Sequence, residues 1–433
     1  MASRRRPRLG ALDLARLNHV LIPATSEARD RARSGRLVRL AWPVIWLFTA
    51  LSEEGRFLLV ASTLIGLMSV EVQSTSVYLL WCVTFAPLVV SLLLRPAFSL
   101  VGRAELTVQG PGRVAVGDEA RFVVVVSELT GRGYDAVRVR GPMLPWDGRF
   151  VGEPPDDVPL DPNGQARMIV SATFARRGPH HLDPFTAAAQ LPPGLAQGRL
   201  VRSETCRLTV VPRLAIVTSL VTPRAERHQP GGVALASRTG EALELLGLRP
   251  YRPGDPVRDL HARSSARTGI PHVREYQQEY FSRFGVVLDT EAAIVTPATF
   301  EAAVSLAAGL VARLSRGEGL IDLLLCGDQV HSLTVGRGLG QLDQALDLLA
   351  LAEPGPRLDP DAWMRRLEPF TARLSCLFVI WIAQDAPRQE LSVRLRRQLP
   401  CREFLVTDPG TAAVAPVIAV DPSAIASGAP LRL

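Results

Sequence analysis

The sequence contains no lysine, so all 49 of its basic residues are arginine. The missing amine excludes a P-loop, whose lysine reaches the phosphates, and Schiff-base catalysis, which needs an amine nucleophile. Cysteine is also scarce, and no C-x-x-C pair occurs. The five cysteines are Cys82, Cys206, Cys326, Cys376 and Cys401. This scattered spacing predicts unpaired, structural thiols in a reducing compartment.

The positive charge is confined to one end of the chain. Residues 1–40 contain ten arginines against Asp13, Glu27 and Asp30, so this segment alone accounts for the net charge of +7. The remaining residues are balanced. Because the basic segment directly precedes an apolar region, we expect it to be attracted to a membrane surface, and we expect no nucleic-acid partner.

Two apolar segments predict a transmembrane helical hairpin over residues 55–96. Residues 77–94 contain no charge and would extend about 27 Å as a helix, close to the hydrocarbon thickness of a bilayer. Residues 57–70 are equally apolar and can span if Arg56 and Glu71 reach the two interfaces. The preceding residues 1–54 are expected to form a basic tail with an interfacial segment. A third span over residues 40–51 is the alternative to that interfacial segment.

The arginines around the hairpin predict its orientation. Arg36, Arg39 and Arg56 precede it, Arg95 and Arg103 follow it, and the turn between the two apolar segments carries no positive charge. By the positive-inside rule, both flanks are cytoplasmic. The sequence therefore predicts a multi-pass protein of the bacterial inner membrane, with its N-terminus and C-terminal domains in the cytoplasm.

Residues 104–217 predict an immunoglobulin/fibronectin-like β-sandwich. Short β-branched segments with alternating patterning, such as ARFVVVVSE at residues 120–128, recur between turns. This part of the chain contains no catalytic constellation. The adjacent His180 and His181 follow an Arg-Arg-Gly turn and are expected to lie in a loop.

Residues 284–433 predict an α/β domain with a doubly wound, mainly parallel sheet, because buried apolar runs alternate with helical stretches. Ligands of such sheets bind at the carboxyl ends of the strands. Four acidic residues, Asp289, Asp328, Asp385 and Asp408, are expected at this edge. They are the basis of the alternative function, a hydrolase-type enzyme.

A motif over residues 240–283 separates the two soluble domains. Its core, GLRPYRPGDPVRDLHARSSARTGIPHVREYQQEY, predicts a strand, a turn, a helix and a second strand, with Asp255 as the helix N-cap. Its charges favour either contacts between domains or a docking surface for a partner. The candidate residues are Arg249, Tyr251, Gly254, Asp255, Arg258, His261, Arg267, Arg274 and Glu275.

These residues resemble the signature of the family called domain of unknown function fifty-eight, R-x-Y-x-x-G-D-x-x-R-x-[IL]-x-W-x-x-x-A-R followed by V-R-E-x-x-x-E. His261 stands where that family usually has tryptophan. The α/β domain of the family resembles a von Willebrand factor A domain, whose metal site uses D-x-S-x-S after the first strand. Here the segment beginning at Asp289 lacks both serines.

The resemblance therefore implies a von Willebrand factor A-like domain whose metal-site positions, Asp289, Glu291 and Asp385, are degenerate. Without the two hydroxyl ligands we expect no bound metal. An ion held by Asp289 and Asp385 together with water is the alternative. At His261, packing or hydrogen bonding is expected, and catalysis is not.

The resemblance also implies a function. It indicates a membrane-anchored protein-interaction module, an adaptor or partner of a MoxR-type AAA+ ATPase in the assembly or maturation of envelope or metalloprotein complexes. We expect no chemistry of its own and no cofactor. The expected partners are this ATPase and the lipid bilayer, with a transglutaminase-like membrane protein as a further candidate.

Overall fold

The protein, described from a computed structural model, divides into one unit that ends at Val211 and one that begins at Pro212. Each unit has a hydrophobic core of its own. The described residues are 43, 44, 46, 47, 49–71, 75–152, 157–222, 244–255, 257–277, 283–291, 296–317, 319–326, 330–335, 339–355, 359–408 and 416–433.

Two long helices, α1 (Glu53–Glu71) and α2 (Thr75–Leu94), belong to the first unit. They pack antiparallel, because Ser62 lies beside Thr84, with 3.3 Å between the hydroxyl oxygens, and Gly66 lies one turn further along against Trp81. A Cβ atom at Gly66 would come within 2.7 Å of the indole nitrogen of Trp81. The small residue therefore permits the close contact between the helices.

The outer surface of these helices is apolar. Phe57 of α1 is 78% exposed and Leu93 of α2 is 74% exposed, and several valines and leucines between them are more than half exposed. A continuous apolar surface of this kind is unfavourable in water and favourable in lipid.

Among the described residues, two stretches are long and apolar enough to cross a membrane, Thr75–Phe98 and Pro297–Leu314. The second is largely buried inside the second unit, as expected for the core helix of a soluble domain. Helix α1 is not one of the two, because its charged ends leave a shorter apolar run than that of α2. The second span of the hairpin therefore stays a prediction.

A small apolar cluster joins the base of both helices to the sandwich of the same unit. Leu51 and Leu88 pack with Ala196, and the amide of Ser52 donates a hydrogen bond to the carbonyl of Leu195 at 3.0 Å. Gly55 makes this approach possible, because a Cβ atom there would lie 1.9 Å from the Leu195 oxygen. The described residues of the predicted interfacial segment, between 43 and 50, are helical and lead into this cluster.

The rest of the first unit is a β-sandwich-like structure, as predicted. Its three sheets have the strand orders β1-β3-β7-β5, β10-β9-β4-β6 with β11 beside β9, and β2-β12-β8. Alternate residues of β3, including Phe122, Val124 and Val126, are buried in the core. The strands are β1 Ala104–Gln109, β2 Arg113–Ala115, β3 Glu119–Glu128, β4 Tyr134–Arg140, β5 Gly148–Val151, β6 Val158–Leu160, β7 Gln165–Phe174, β8 Gly178–Leu182, β9 Thr186–Leu191, β10 Ala196–Gln197, β11 Val201–Arg202 and β12 Cys206–Val211.

The loop expected at His180 and His181 is instead strand β8, which pairs antiparallel with β12. The ring of His180 is buried and its Nε2 lies 2.9 Å from a carboxylate oxygen of Asp147. Burial lowers the pKa of His180, but the hydrogen bonds to Asp147 and to the carbonyl of Gly178, together with the charge of Asp147, outweigh burial, so that the net shift is upward. Backbone pairing with β12 places this segment in the sheet, and the contact with Asp147 holds the His180 ring.

The second unit contains a six-stranded sheet of order β18-β17-β16-β19-β20-β21, in which only β18 runs antiparallel to its neighbour. The strands of this unit are β13 Val217–Ser219, β14 Glu244–Pro250, β15 His272–Gln277, β16 Arg283–Asp289, β17 Leu320–Cys326, β18 Val330–Val335, β19 Cys376–Trp381, β20 Cys401–Val406, β21 Ile418–Val420 and β22 Leu431–Arg432. The helices are α3 Ala262–Thr268, α4 Pro297–Leu314, α5 Leu339–Ala350, α6 Pro360–Thr371, α7 Ala386–Gln398 and α8 Pro422–Ala426. Strand β13 pairs with β22 of the second unit. Its first residue, Val217, is the last residue of the predicted sandwich.

Helices cover both faces of this sheet. Leu367 of α6 and Leu391 of α7 pack on Val287 and Val379 on one face. Because neighbouring residues of a strand point to opposite faces, Val286 and Leu288 of β16 face the other side, where α4 packs. The mainly parallel, two-faced sheet agrees with the sequence pattern.

Four helices of the second unit begin in the same way. A side-chain oxygen of Thr296, Asp359, Asp385 or Asp421 accepts a backbone hydrogen bond, and a proline occupies one of the first two helical positions. The cap satisfies an otherwise unpaired amide, and proline costs nothing where no amide is needed. These local signals fix where the helices start, and one of them shapes the site described below.

Candidate functional site

The signature folds as a hairpin. Strands β14 and β15 pair antiparallel, with Arg249 opposite Val273 and Gly247 opposite Glu275. Between them lie a turn, the short 3-10 segment Val257–Asp259 and helix α3. The predicted order of strand, turn, helix and strand is therefore present.

Asp255 has a different role from the predicted helix cap. Its carboxylate accepts two hydrogen bonds from the guanidinium of Arg249, at 2.7 and 2.8 Å, and one from the backbone amide of Arg252 at 2.8 Å. These bonds lower the pKa of Asp255 to about 2. The aspartate thus holds the turn against strand β14, while helix α3 begins seven residues later, at Ala262.

His261 is the N-cap of α3. Its Nδ1 accepts a hydrogen bond from the amide of Ser264 at 3.3 Å, and Gly269 ends the helix with a left-handed φ of 72°. Because the helix starts at Ala262, the predicted N-cap at Asp255 is wrong. The sequence pattern predicts Asp255 as the cap, but the guanidinium of Arg249 binds the same carboxylate.

The other signature residues either stabilise the hairpin or lie along it. The amide of Tyr251 donates to the carbonyl of Pro271 at 2.8 Å, and Gly254 adopts a φ of 105° that favours glycine. Glu275 lies on β15, but its side chain is outside the described part of the structure. The carboxylate of Asp259 lies 3.9 Å from the guanidinium of Arg258.

A group of arginines projects from this hairpin into solvent. The side chain of Arg258 is 81% exposed. The exposed members of the group, here called the arginine surface, are Arg252, Arg258, Arg263, Arg267 and Arg274. Val257 and Ile270 are exposed beside them. The surface therefore combines several guanidinium groups with apolar side chains, a composition that suits contact with an acidic protein partner.

The three predicted metal-site residues do come together, but around an arginine. Arg388, whose side chain is 1% exposed, places Nε at 2.7 Å from Asp289, Nη2 at 2.9 Å from Glu291 and Nη1 at 2.7 Å from Asp385. Arg388 lies in the first turn of α7, directly after its cap Asp385, and Asp289 is the last residue of the central strand β16. The N-terminal cap of α7 and the order of the strands thus bring four side chains to one edge of the sheet, those of Asp289, Glu291, Asp385 and Arg388.

The carboxylate of Asp289 accepts hydrogen bonds from several N–H groups. Besides Arg388, the backbone amides of Glu291 and Ile382 donate to its carboxylate at 3.1 and 3.3 Å. Burial raises the pKa of Asp289, and the hydrogen bond from Arg388 opposes the shift. All of these partners are donors, so the ionised carboxylate is the form that the geometry accommodates.

This arrangement does not fit a bound metal ion. The cation that neutralises Asp289 and Glu291 is a guanidinium of the chain itself, and both neutral hydroxyl ligands of the D-x-S-x-S pattern are missing. Within the described residues, no group of three or more His, Cys, Asp or Glu side chains is arranged to hold a metal ion. Asp408 is exposed after β20, and Asp328 lies outside the described residues.

A second buried network, centred on Glu403, lies beside the first, and neither Glu403 nor Arg388 was predicted from the sequence. Glu403, in the middle of β20, accepts hydrogen bonds from the indole of Trp381 at 2.7 Å, from Ser392 at 2.9 Å and from Arg396 at 2.5 Å. A charged residue inside an apolar strand, and an arginine three residues after a capping aspartate, are the signals that could have indicated them.

Fold and site define a two-unit protein, in which a β-sandwich-like unit carries a helix long and apolar enough to cross a membrane, and an α/β unit carries the signature hairpin. Residues 247–381 match the family described as "Protein of unknown function DUF58". This match confirms the resemblance of the signature.

The other comparisons add little. No curated protein matches the chain. Alpha-2-macroglobulin of E. coli matches 26% of this chain over 7% of its own length, with 17% identity and a TM-score of 0.22. The CARDB domain of the PF1109 protein from Pyrococcus furiosus matches 25% of this chain over 87% of its own, with 19% identity and a TM-score of 0.18. Scores this low support no argument about function.

Proposed function

We propose that the protein is a membrane-anchored interaction module that docks a MoxR-type AAA+ ATPase and has no chemistry of its own. Its role would be that of an adaptor in the assembly or maturation of envelope or metalloprotein complexes. The observation that carries the proposal is the arginine surface, which is exposed, rich in guanidinium groups and built on the signature of the matched family.

The anchor in this proposal is the helical pair of the first unit. The exposed apolar side chains of α1 and α2, such as Phe57 and Leu93, support insertion of both helices as a hairpin. Arg56 at one base and Arg95 at the other support a cytoplasmic location for both flanks in a bacterial inner membrane. The soluble units would then meet their partners in the cytoplasm.

The docking surface has the chemistry of a protein interface. Asp255, the acidic residue of the turn, is occupied by Arg249, whereas Arg258 contacts Asp259 only at 3.9 Å and Arg267 is exposed. Exposed guanidinium groups beside Val257 and Ile270 can pair with carboxylates of a partner and bury apolar area at the same time. An acidic patch on the ATPase is the complementary surface.

We also propose that the α/β domain is von Willebrand factor A-like and works without metal. Asp289 ends the central strand of the sheet, where the metal-site pattern of that domain begins, and Arg388 neutralises it. The same pairing argues against Asp289 as the acid, base or nucleophile of the hydrolase alternative, because catalysis needs a carboxylate that is free to act. Asp289 and Glu291 are both buried and both bound to Arg388.

Affinity capture tests the proposal. The full chain, tagged after Leu433, is isolated from detergent-solubilised membranes, and the proteins retained are identified by mass spectrometry. We expect a MoxR-type ATPase to be enriched with the wild-type chain and depleted with an Arg258→Ala/Arg267→Ala variant. Arg316→Ala/Arg397→Ala is the matched control, because it removes two exposed arginines elsewhere in the same unit. Equal retention by both variants would contradict the proposal.

A further inference from the structure

Two arginines meet where α2 ends. Arg95 follows the last residue of α2, and Arg199, which is exposed, is its charged neighbour. The loop that carries Arg199 crosses the 3-10 segment Arg95–Phe98 so closely that a Cβ atom at Gly198 would lie 2.0 Å from the carbonyl oxygen of Phe98. The backbone oxygen of Arg199 also accepts a hydrogen bond from the amide of Leu100 at 3.3 Å. These backbone contacts hold Arg95 and Arg199 on neighbouring segments at the end of α2, near enough for their charges to repel.

Arg95 is held in a defined orientation. Its Nε donates to the backbone oxygen of Gln197 at 3.1 Å, and its guanidinium carbon lies 5.3 Å from the centre of the Trp46 ring. Gln197 is itself fixed, because its side-chain amide donates to the carbonyl of Thr49 at 2.7 Å. An arginine that is stacked on an aromatic ring and anchored at Nε presents its two terminal nitrogens in a preformed fork.

The described residues provide no carboxylate partner for this pair. Arg138 of the same unit shows the ordinary arrangement, with a carboxylate oxygen of Asp157 at 2.7 Å. For Arg95 and Arg199, no ion pair occurs within the described part of the chain. Two adjacent cations repel each other, so an anion bound between them would remove an unfavourable interaction and add charge-assisted hydrogen bonds.

The pair lies at the boundary of the apolar surface. Leu93 and Leu94 are exposed directly before Arg95, and Trp46, which is stacked on Arg95, is partly exposed. Aromatic rings and arginines at the end of an apolar helix occupy the headgroup level of a bilayer. The anion within reach there is the phosphate of a lipid.

We infer that Arg95 and Arg199 form a binding site for the phosphate of an anionic phospholipid. The site would fix the sandwich, through the contact of Arg95 with Gln197 at the end of strand β10, to the membrane surface at the end of α2. This inference rests on the proposed membrane anchoring. A soluble phosphate shares the same chemistry, and the experiment separates the two sources.

The test uses the full chain in a neutral detergent. Its melting temperature is measured against increasing phosphatidylglycerol, phosphatidylcholine or inorganic phosphate. We expect a saturable rise with phosphatidylglycerol that exceeds the rise with phosphatidylcholine, because a ligand that binds only the folded state stabilises it. The Arg95→Gln/Arg199→Gln variant should need at least about tenfold more phosphatidylglycerol for the same rise.

The controls keep the result interpretable. Arg167→Gln/Arg207→Gln removes two exposed arginines from sandwich strands and should respond like the wild type. Arg199→Gln alone changes an exposed side chain and should lose part of the response, even if loss of Arg95 impairs folding. Equal responses to both lipids, an unchanged response in the double variant, or equal protection by inorganic phosphate would overturn the inference. Loss of the wild-type chain from the membrane fraction would instead overturn the anchoring itself.

Discussion

The guanidinium of Arg388 lies 2.7 Å from the carboxylate of Asp289, and both side chains are almost fully buried. The pair joins the first turn of α7 to the end of the central strand β16. Glu291 and Asp385 complete the shell around the same guanidinium. An internal cation thus lies among the residues predicted as a degenerate metal site, at the carboxyl edge of the sheet.

Removal of Arg388 should strongly destabilise the second unit. In an Arg388→Ala variant, Asp289 and Glu291 are buried without a counter-charge, and breaking a buried ion pair in this way costs about 3–5 kcal/mol. Exposed Arg397 on the same helix is the control, and Arg397→Ala should change stability by less than about 0.5 kcal/mol. Urea unfolding of the full chain in detergent, followed by tryptophan fluorescence, measures both. Similar midpoints for the two variants would contradict the buried role of Arg388.

Divalent cations should leave the stability of the wild-type chain unchanged. Because Arg388 already neutralises Asp289, Mg²⁺ or Mn²⁺ would have to displace a guanidinium that is bound to three carboxylates. The melting temperature in detergent is measured with each metal and with a chelator. A saturable rise that disappears in Asp289→Ala would show a metal site at this edge.

The contact between Asp255 and Arg249 should make stability depend on pH in acid. The pKa of Asp255 is lowered to about 2 by Arg249 and by the amide of Arg252, against about 3.9 in an unfolded chain. Between these values the unfolded chain binds more protons, so stability rises with pH and is lost as the pH falls from about 4 to about 2.

An Asp255→Asn variant tests this dependence. Melting temperatures of the full chain at pH 2 to 5 should fall less steeply in the variant than in the wild type. Asp408→Asn, at an exposed carboxylate of the same unit, should retain the wild-type slope. If Asp255→Asn also retains it, the contact does not contribute to folding.

Topology reporters test the predicted hairpin. A reporter fused after Leu433 should behave as cytoplasmic, and one inserted at residues 72–74, between α1 and α2, should behave as periplasmic. A cytoplasmic signal at both positions would show that α1 and α2 do not cross the membrane. A periplasmic signal after Leu433 would reverse the predicted orientation.

Much of the fold can be read from local sequence patterns. The uncharged run of α2, the alternation of β3 and the aspartate–proline starts of helices in the second unit each depend on neighbours within a few residues. The sites depend on distant residues. Asp289 is 99 positions from Arg388, and its ion pair exists only after the sheet has formed.

The N-cap of α3 shows that a pairing between residues close in the sequence can also escape prediction from local patterns. Asp255 fits the local rule for an N-cap, but the hairpin turns Arg249 back onto it, and the bidentate ion pair prevails. His261 then caps the helix, although histidine is not among the preferred capping residues. The sequence therefore indicates that Arg249 and Asp255 belong to the motif, but it does not predict that these two residues pair with each other.

The affinity of the full chain, reconstituted in lipid nanodiscs, for a purified MoxR-type ATPase measures whether the arginine surface docks this partner. Arg258→Ala/Arg267→Ala should bind at least about tenfold more weakly than the wild type, because charge-assisted contacts at an interface contribute more than 1 kcal/mol each. The melting temperature should stay unchanged, since Arg258 is 81% exposed and Arg267 is exposed as well. The Arg316→Ala/Arg397→Ala control should bind like the wild type. Unchanged affinity of the signature variant, or a loss of affinity that only follows a loss of folded protein, would contradict a docking role for the arginine surface.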